Sequence, residues 1–401
     1  MNRNSVLIVG AGPVGLVNAL GLAQAGVHVT VLEKEPAVVD EPRAMVYHWA
    51  AHDGLERMGL LDDLTKAGFT TSNWSSFRLF TTGETISFHY DGVLGDEVRH
   101  PFNLHLGQDR LAEVVLAHLA RFPNVSVVWN ATVTELSQDS DGVTVSADTP
   151  DGPREFRAGW VIGTDGARST VRQLLGLNFD GLTWPERFVA TNVRFDFDRY
   201  GYTPSTMQID PVYGAVVSKI DDTGLWRCTY FEDAALPEEQ VRERIPSYFD
   251  AVLPAGEEYE LVQYSSYRMH QRAAERFRVG RVLLAGDAAH ATNPTSGFGL
   301  LTGLFDSFVL FEALAAVIHG QIGDEVLDRY AEDRRRVFLD YTSPISTRSK
   351  KFLFHSDDPV QLEKDLAELR KTAGDKALQR ERFMTGKKIE SPSLLTGQAS
   401  R

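Results

Sequence analysis

The tightest constraint in this chain is Gly10-Ala11-Gly12-Pro13-Val14-Gly15, a Gly-rich turn between the apolar run Val6 to Val9 and a helical pattern from Pro13 to Ala25. In such a turn Gly10 makes the sharp reversal, Gly12 lets a pyrophosphate approach the backbone, and Gly15 lets helix and strand pack closely. A second strand pattern, Val27 to Leu32, completes a βαβ unit and ends at Glu33, placed to accept hydrogen bonds from a ribose. A GxGxxG pattern alone can be an ordinary Gly-rich loop, but strand, helix and acid at this spacing point to a bound dinucleotide. An acid there favours a free ribose 2′-hydroxyl, hence FAD or NAD rather than NADP.

With 401 residues, 43% of them hydrophobic, the chain can bury a core large enough for two interleaved domains. A formal net charge of −14 argues against nucleic acid, because phosphate binding needs clustered Lys and Arg. The one conspicuous basic cluster, Arg334-Arg335-Arg336, follows Glu332 and Asp333 and reads as a solvated helical face. After Met1-Asn2-Arg3-Asn4 the apolar run is too short for a signal or membrane segment, so no membrane association is expected. Cys228 is the sole cysteine; it can form neither an internal disulfide nor a Cys-based metal site, and it fits a reducing cytoplasm. No metal is expected.

Between Glu186 and Phe231 the pattern changes to β-branched and aromatic alternation, in Phe188 to Phe195, Ala215 to Ile220 and Leu225 to Phe231. This predicts an antiparallel sheet. Another apolar strand, Val282 to Ala285, leads into a Gly-rich loop and a long helix from about Leu300 to His319, returning the chain to its first domain. From about Leu362 to Arg382 the spacing predicts a terminal helix, and Ser391 to Arg401 reads as a loose tail.

Two further motifs follow apolar strands: Gly163-Thr164-Asp165-Gly166-Ala167-Arg168-Ser169-Thr170-Val171-Arg172, and Gly286-Asp287-Ala288-Ala289-His290 through Pro294. In this order after GxGxxG they resemble the DG and GD motifs of the flavoprotein aromatic hydroxylases, the family typified by 4-hydroxybenzoate hydroxylase, over roughly residues 5 to 345. The resemblance implies an α/β fold with a Rossmann-like FAD-binding domain interleaved with an antiparallel-sheet substrate domain, plus C-terminal helices. The expected divisions are 1–75, 105–180 and 275–345 for FAD, 76–104 and 181–274 for substrate, and 346–401 for a C-terminal helix and tail. A compact form without the thioredoxin-like appendage of some larger relatives is expected.

By the same resemblance Asp287 accepts from the FAD ribityl chain and Gly286 permits close backbone approach. Asp165 organises the loop beneath the flavin, with Arg168 and Arg172 holding it through ion pairs. Arg43 matches an arginine near the pyrophosphate, and Gln108 a polar contact to the FAD chain. From Pro294 to Asp306 the chain departs from the family, with Phe298 and Leu301 where relatives often carry polar residues. Backbone N–H groups at Gly299, Leu300 and Leu301 can still face the flavin pyrimidine, where charge develops on reduction.

The chemistry implied is hydroxylation of a phenolic or other electron-rich ring with O2 and NADH or NADPH, through a flavin C4a-hydroperoxide, by a monomer or homodimer. One GxGxxG leaves no second Rossmann site for the pyridine nucleotide. His48 and Tyr47 are candidate proton-transfer or orienting groups, and Pro294 matches a proline that presents its carbonyl to the substrate hydroxyl. His290 is expected to be structural. Tyr213, Ser218, Arg227 and Tyr230 lie on the expected sheet, but alternation does not show which face is inward without register. A flavin-dependent halogenase is disfavoured by the missing Trp-x-Trp-x-Ile-Pro signature, and a two-Rossmann Baeyer–Villiger enzyme by the missing second Gly-rich motif. A non-hydroxylating FAD-binding oxidoreductase or redox sensor of the same fold stays open.

Overall fold

Ser5–Val9 is apolar on both faces because it runs through the middle of a parallel sheet, where neither face meets water. The computed structural model describes residues 4–95 and 97–396. Its six-stranded sheet has the order Arg278–Val279, Val282–Leu284, Trp160–Gly163, Ser5–Val9, His28–Leu32 and Val125–Val128. Pairing is parallel except at the edge hairpin 278–284. The opening turn leads into the helix Pro13–Gln24, with Pro13 in its first turn, where a missing N–H costs nothing.

An eight-stranded sheet carries the β-branched and aromatic alternation: His290–Ala291, Glu260–Ala274, Phe179–Arg194, Leu225–Asp233, Ala215–Lys219, Ser205–Ile209, Asn73–Leu79 and Thr85–His89, in that order. It is antiparallel as expected, apart from one parallel pairing between Ser205–Ile209 and Asn73–Leu79. Those two strands come from distant parts of the chain, so no hairpin forces them to oppose. A separate three-stranded antiparallel sheet spans 132–158.

The helix Phe298–Ile318 is long and apolar enough to cross a membrane by length and composition, yet most of it is buried inside the protein. It packs closely on the helix Pro13–Gln24: a Cβ on its Gly303 would lie 2.7 Å from Val14 Cγ2, and one on Gly21 of the partner helix would lie 2.4 Å from the Phe311 ring. The expected terminal helix is two, Pro359–Ala373 and Lys376–Phe383, because Asp375 takes the N-cap of the second and accepts from the Ala377 and Leu378 amides. Of the tail from Ser391, residues 397–401 lie outside the described residues, as do Met1 to Arg3.

Two histidines are sealed into this framework. His105 meets the Lys219 carbonyl at 2.9 Å through Nδ1 and stacks on Phe69, and His52 packs on Phe102. Burial holds His105 down to about 4 and His52 to about 3, from the ordinary 6.5. Below pH 6.5 the unfolded chain binds protons that these sites refuse, so stability falls as pH drops toward 4, by up to about 1.4 kcal/mol per unit per histidine. Urea midpoints should be clearly lower at pH 5 than at pH 7, and His105→Asn, which keeps the donor but not the titration, should narrow the gap. Equal midpoints at the two pH values would contradict this account.

Candidate active site

Gly10 has φ +105°, and a Cβ there would lie 2.6 Å from the Thr164 carbonyl oxygen; one on Gly15 would lie 2.0 Å from the Gly10 carbonyl oxygen. Nothing lies within 4 Å of where a Gly12 Cβ would stand, so the turn is closed at its two ends and open at its middle. Glu33 stands at the end of the second strand, where it accepts from the Ala11 amide at 2.6 Å and the Glu35 amide at 3.0 Å. It braces the turn while each carboxylate oxygen keeps a second lone pair.

Gly286 has φ +59°, and its missing side chain lets the GD turn sit against Val14 of the opening helix. Asp287 beside it is exposed, and among the described residues no hydrogen bond or ion pair engages its carboxylate. Desolvation nonetheless raises its pKa, offset by His290 and Arg43. A group open to solvent yet ringed by protein faces a cleft. Beneath it Asp306, fully buried, accepts from the Gly286 amide at 2.9 Å, His290 Nε2 at 2.7 Å and Arg334 Nε at 2.7 Å. These partners, His290 and Arg334 foremost, hold the Asp306 carboxyl down to about 2 against its burial. His290 is thereby the structural residue it was expected to be.

The arginine run reads differently in the fold than in the sequence. Arg334 is fully buried, donating also to Ile389 and Thr302 carbonyls and to Ser391 Oγ. Arg335 donates to the Ala274 carbonyl, and only Arg336, paired with Asp333, keeps to the exposed surface. The helix Val326–Val337 packs that side against the core, which a count of charges cannot reveal. In the DG loop Asp165 accepts from Ser169 Oγ at 2.5 Å and from the Val171 amide at 3.0 Å rather than from arginines. Arg172 instead donates to the Ala288 carbonyl at 2.8 Å and the Ala167 carbonyl at 2.7 Å, tying the DG loop to the GD loop, while Arg168 is exposed.

A cavity of about 1040 Å³ opens beside these loops. One wall is the Arg43–His48 segment, another the Pro294–Phe298 loop, and a third the face of the large sheet carrying Ser218 and Arg227. Register places Ser205, Ser218, Arg227, Asn192 and Gln263 opposite one another as a polar row across five strands. Arg227 donates from Nε to Asn192 at 3.0 Å and from Nη1 to the Arg43 carbonyl, and Gln263 and Ser265 hold the Asp40 and Pro42 carbonyls. The sheet thus pins the segment that brings Arg43 and His48 to the cavity.

His48 meets the Ser296 carbonyl through Nε2 at 3.3 Å. A carbonyl only accepts, so this contact places the proton on Nε2 and leaves Nδ1 as the acceptor. Burial lowers its pKa and keeps the ring neutral at pH 7. Tyr47 is turned into the core and does not line the cavity. Tyr213 and Tyr230 are also elsewhere: Tyr230 lies on the opposite sheet face, stacked on Tyr248 at 3.7 Å, and Tyr213 packs beside the same ring. Gln108 opens the helix Gln108–Leu119, half-buried and outside the cavity wall. Gly299, Leu300 and Leu301 lie in the first turn of Phe298–Ile318, which has no side-chain cap. Unforeseen was the last wall, made by Ile345, Phe352, Leu369 and Arg382 from the C-terminal helices, and by Trp74 and Phe77. Elsewhere Asp53, Glu56 and His100 gather within 4.8 Å, but Arg99 pairs with Glu56 and Lys387 with Asp53.

The family described as FAD binding domain matches residues 3–342. The chain is 46% identical over 365 residues to 6-hydroxy-3-succinoylpyridine 3-monooxygenase of Pseudomonas putida, covering 88% of this chain and 90% of that one. It is 44% identical over 389 residues to para-nitrophenol 4-monooxygenase of a Pseudomonas species, covering 96% of each. This chain is an FAD-dependent aromatic monooxygenase. The crystal structure of p-nitrophenol 4-monooxygenase from Pseudomonas putida superposes with a TM-score of 0.92 at 44% identity, covering 96% of this chain and 98% of that one. Aklavinone-11 hydroxylase, solved with FAD and aklavinone, superposes with a TM-score of 0.79 at 26% identity, covering 89% and 70%.

The monooxygenase's own geometry suits the FAD its family binds. Space lies open over Gly12, the Asp287 carboxylate lacks a protein partner in a cleft, and the uncapped helix at Phe298 offers first-turn N–H groups without intrahelical acceptors. Asp306→Asn removes the buried charge facing Arg334 and should cost about 3–5 kcal/mol in urea unfolding, the price of one buried cation left uncompensated. Glu84→Gln at the exposed Glu84–Arg370 pair should cost about 1 kcal/mol or less. Similar losses for the two variants would show that the Asp306 cluster is not a stability centre.

Proposed function

We propose that this monooxygenase is a single-component enzyme that inserts one atom of O2 into a phenol-like ring, with NADH or NADPH as reductant, acting in the cytoplasm as a monomer or homodimer. The observation that carries the reading is one cavity shared by the His48 segment, the Pro294 loop and the sheet face of Ser218 and Arg227. The two Pseudomonas relatives are named for acting on hydroxylated six-membered aromatic rings, which fits the same substrate class. Bound flavin supplies the redox chemistry that activates O2. Residues 1–75, 105–180 and 275–345 are assigned to FAD and 76–104 with 181–274 to the ring; the helices beyond 346 line the ring's cavity and act with that second unit.

Gly10, Gly12, Gly15 and Glu33 hold the nucleotide end, with Arg43 toward the pyrophosphate and Gln108 as a further polar contact. Asp287, beside Gly286, accepts from the ribityl hydroxyls, and Asp165 orders the loop that Arg172 ties to it. Gly299, Leu300 and Leu301 present the electropositive helix end to the flavin pyrimidine. The Pro294 carbonyl accepts from the ring hydroxyl, Ser218 and Arg227 orient the ring, and neutral His48 on the cavity wall is the base or orienting group for the phenolic proton, whose loss enriches the ring for attack by electrophilic oxygen.

A phenol panel scored by NADH and NADPH consumption, with product masses, tests this. At least one phenol should accelerate consumption and give a product heavier by one oxygen atom. If no phenol changes the rate and H2O2 is the sole product, the reading falls. Asp287→Ala should weaken FAD binding by about one to two orders of magnitude, as expected for a lost hydrogen bond to a charged group. Unchanged FAD affinity in a folded variant would remove that role.

A further inference from the structure

Arg382, on the helix Lys376–Phe383, lines the same cavity as Pro294 and His48. Its guanidinium lies over three rings, 5.2 Å from Trp74 and Phe77 and 5.3 Å from Phe88. Among the described residues it makes no hydrogen bond or ion pair, and its Nε is buried without a partner. Of the other enclosed guanidiniums, Arg334 meets Asp306 and several further acceptors and Arg187 pairs with Glu232 at 2.9 Å, while Arg272, which does not line this cavity, shares a buried Nε without a partner. Desolvation brings Arg382 down to about 10.

Aromatic faces attract the guanidinium charge but leave its in-plane N–H groups without oxygen acceptors. A buried donor without an acceptor is costly, so the side chain is arranged for a partner that the protein does not provide. The acids nearby do not fill that role. Asp358 accepts from the Val360 and Gln361 amides, Asp365 accepts from the Gln361 side chain, and Glu368 is exposed and forms no ion pair with Arg382. Arg348 and Lys351 also line the cavity but are exposed, where water screens them.

We propose that Arg382 is a specificity-determining residue that binds an anionic carboxylate substituent carried by the ring substrate. The proposal rests on reading this cavity as the ring site. A volume of about 1040 Å³ leaves room for a substituted ring, and a carboxylate offers the planar pair of acceptors that matches a guanidinium edge. Loss of Arg382 should then act on the affinity for charged rings and leave neutral rings alone.

The probes are 3-(4-hydroxyphenyl)propionate and its amide, titrated by calorimetry into FAD-loaded protein. Wild type should prefer the acid, and Arg382→Met should weaken acid binding by about 10- to 100-fold, the range for a charge-assisted hydrogen bond, while amide binding stays within about 3-fold. Arg382→Lys should recover part of the loss. Ligand-free Arg382→Met should hold or raise its Tm, because an unpaired buried cation is removed, whereas a structural arginine would lower it. Equal affinity of wild type for acid and amide, or equal losses of both in Arg382→Met, overturns the proposal. If neither probe nor neutral 4-methylphenol binds wild type, the ring-site reading itself falls, and the assignment of Arg382 with it.

Discussion

Asp306 ties together three parts of the chain that are distant in sequence. It sits on the long helix Phe298–Ile318, holds the Gly286 amide and His290 of the GD loop, and pairs with Arg334, which in turn grips the segment at Ile389 and Ser391. All three side chains are buried, and the Asp306 and Arg334 charges are tolerated there because they pair with each other at 2.7 Å and take further hydrogen bonds. With Asp306 holding the turn from below, Asp287 can face the cleft without a protein partner of its own. The free carboxylate at the site and the satisfied carboxylate under it are two halves of one arrangement.

A second constraint is the two-residue period of the strands. Along Leu225–Asp233, Arg227 and Thr229 line the cavity while Trp226, Cys228 and Tyr230 join a separate aromatic core under the helix Val241–Val252. One face therefore carries the polar row that fixes the Arg43 segment, and the other buries the rings that pack with the helix Val241–Val252. A one-residue slip would exchange the two sets, so the rigid aromatic core guards the register on which the site depends.

The nucleotide-binding half was legible because its rules are local: glycines at fixed offsets, an acid after the second strand, and motifs that follow apolar strands. The site wall was legible only in part. Ser218 and Arg227 could be named as sheet residues, yet telling them from Tyr213 and Tyr230 needed the register that only the folded pairing supplies. Arg334 was misread because a basic run after two acids looks solvated, and its buried partner Asp306 is 28 residues away. The C-terminal helices were foreseen as a terminal element but not as a wall of the cavity. Leu362, Leu366 and Leu369 repeat at helical spacing, a sign that one face must be covered, though not by what.

The central claim is that this cavity delivers one oxygen atom from O2 to an aromatic ring. Its most direct test is turnover under ¹⁸O2 with a phenol that stimulates NAD(P)H consumption, followed by mass analysis of the ring product. The account predicts one ¹⁸O atom in each product molecule and none incorporated from ¹⁸O-labelled water. A product whose new oxygen comes from water, or NAD(P)H oxidised with all the label in hydrogen peroxide, would contradict it.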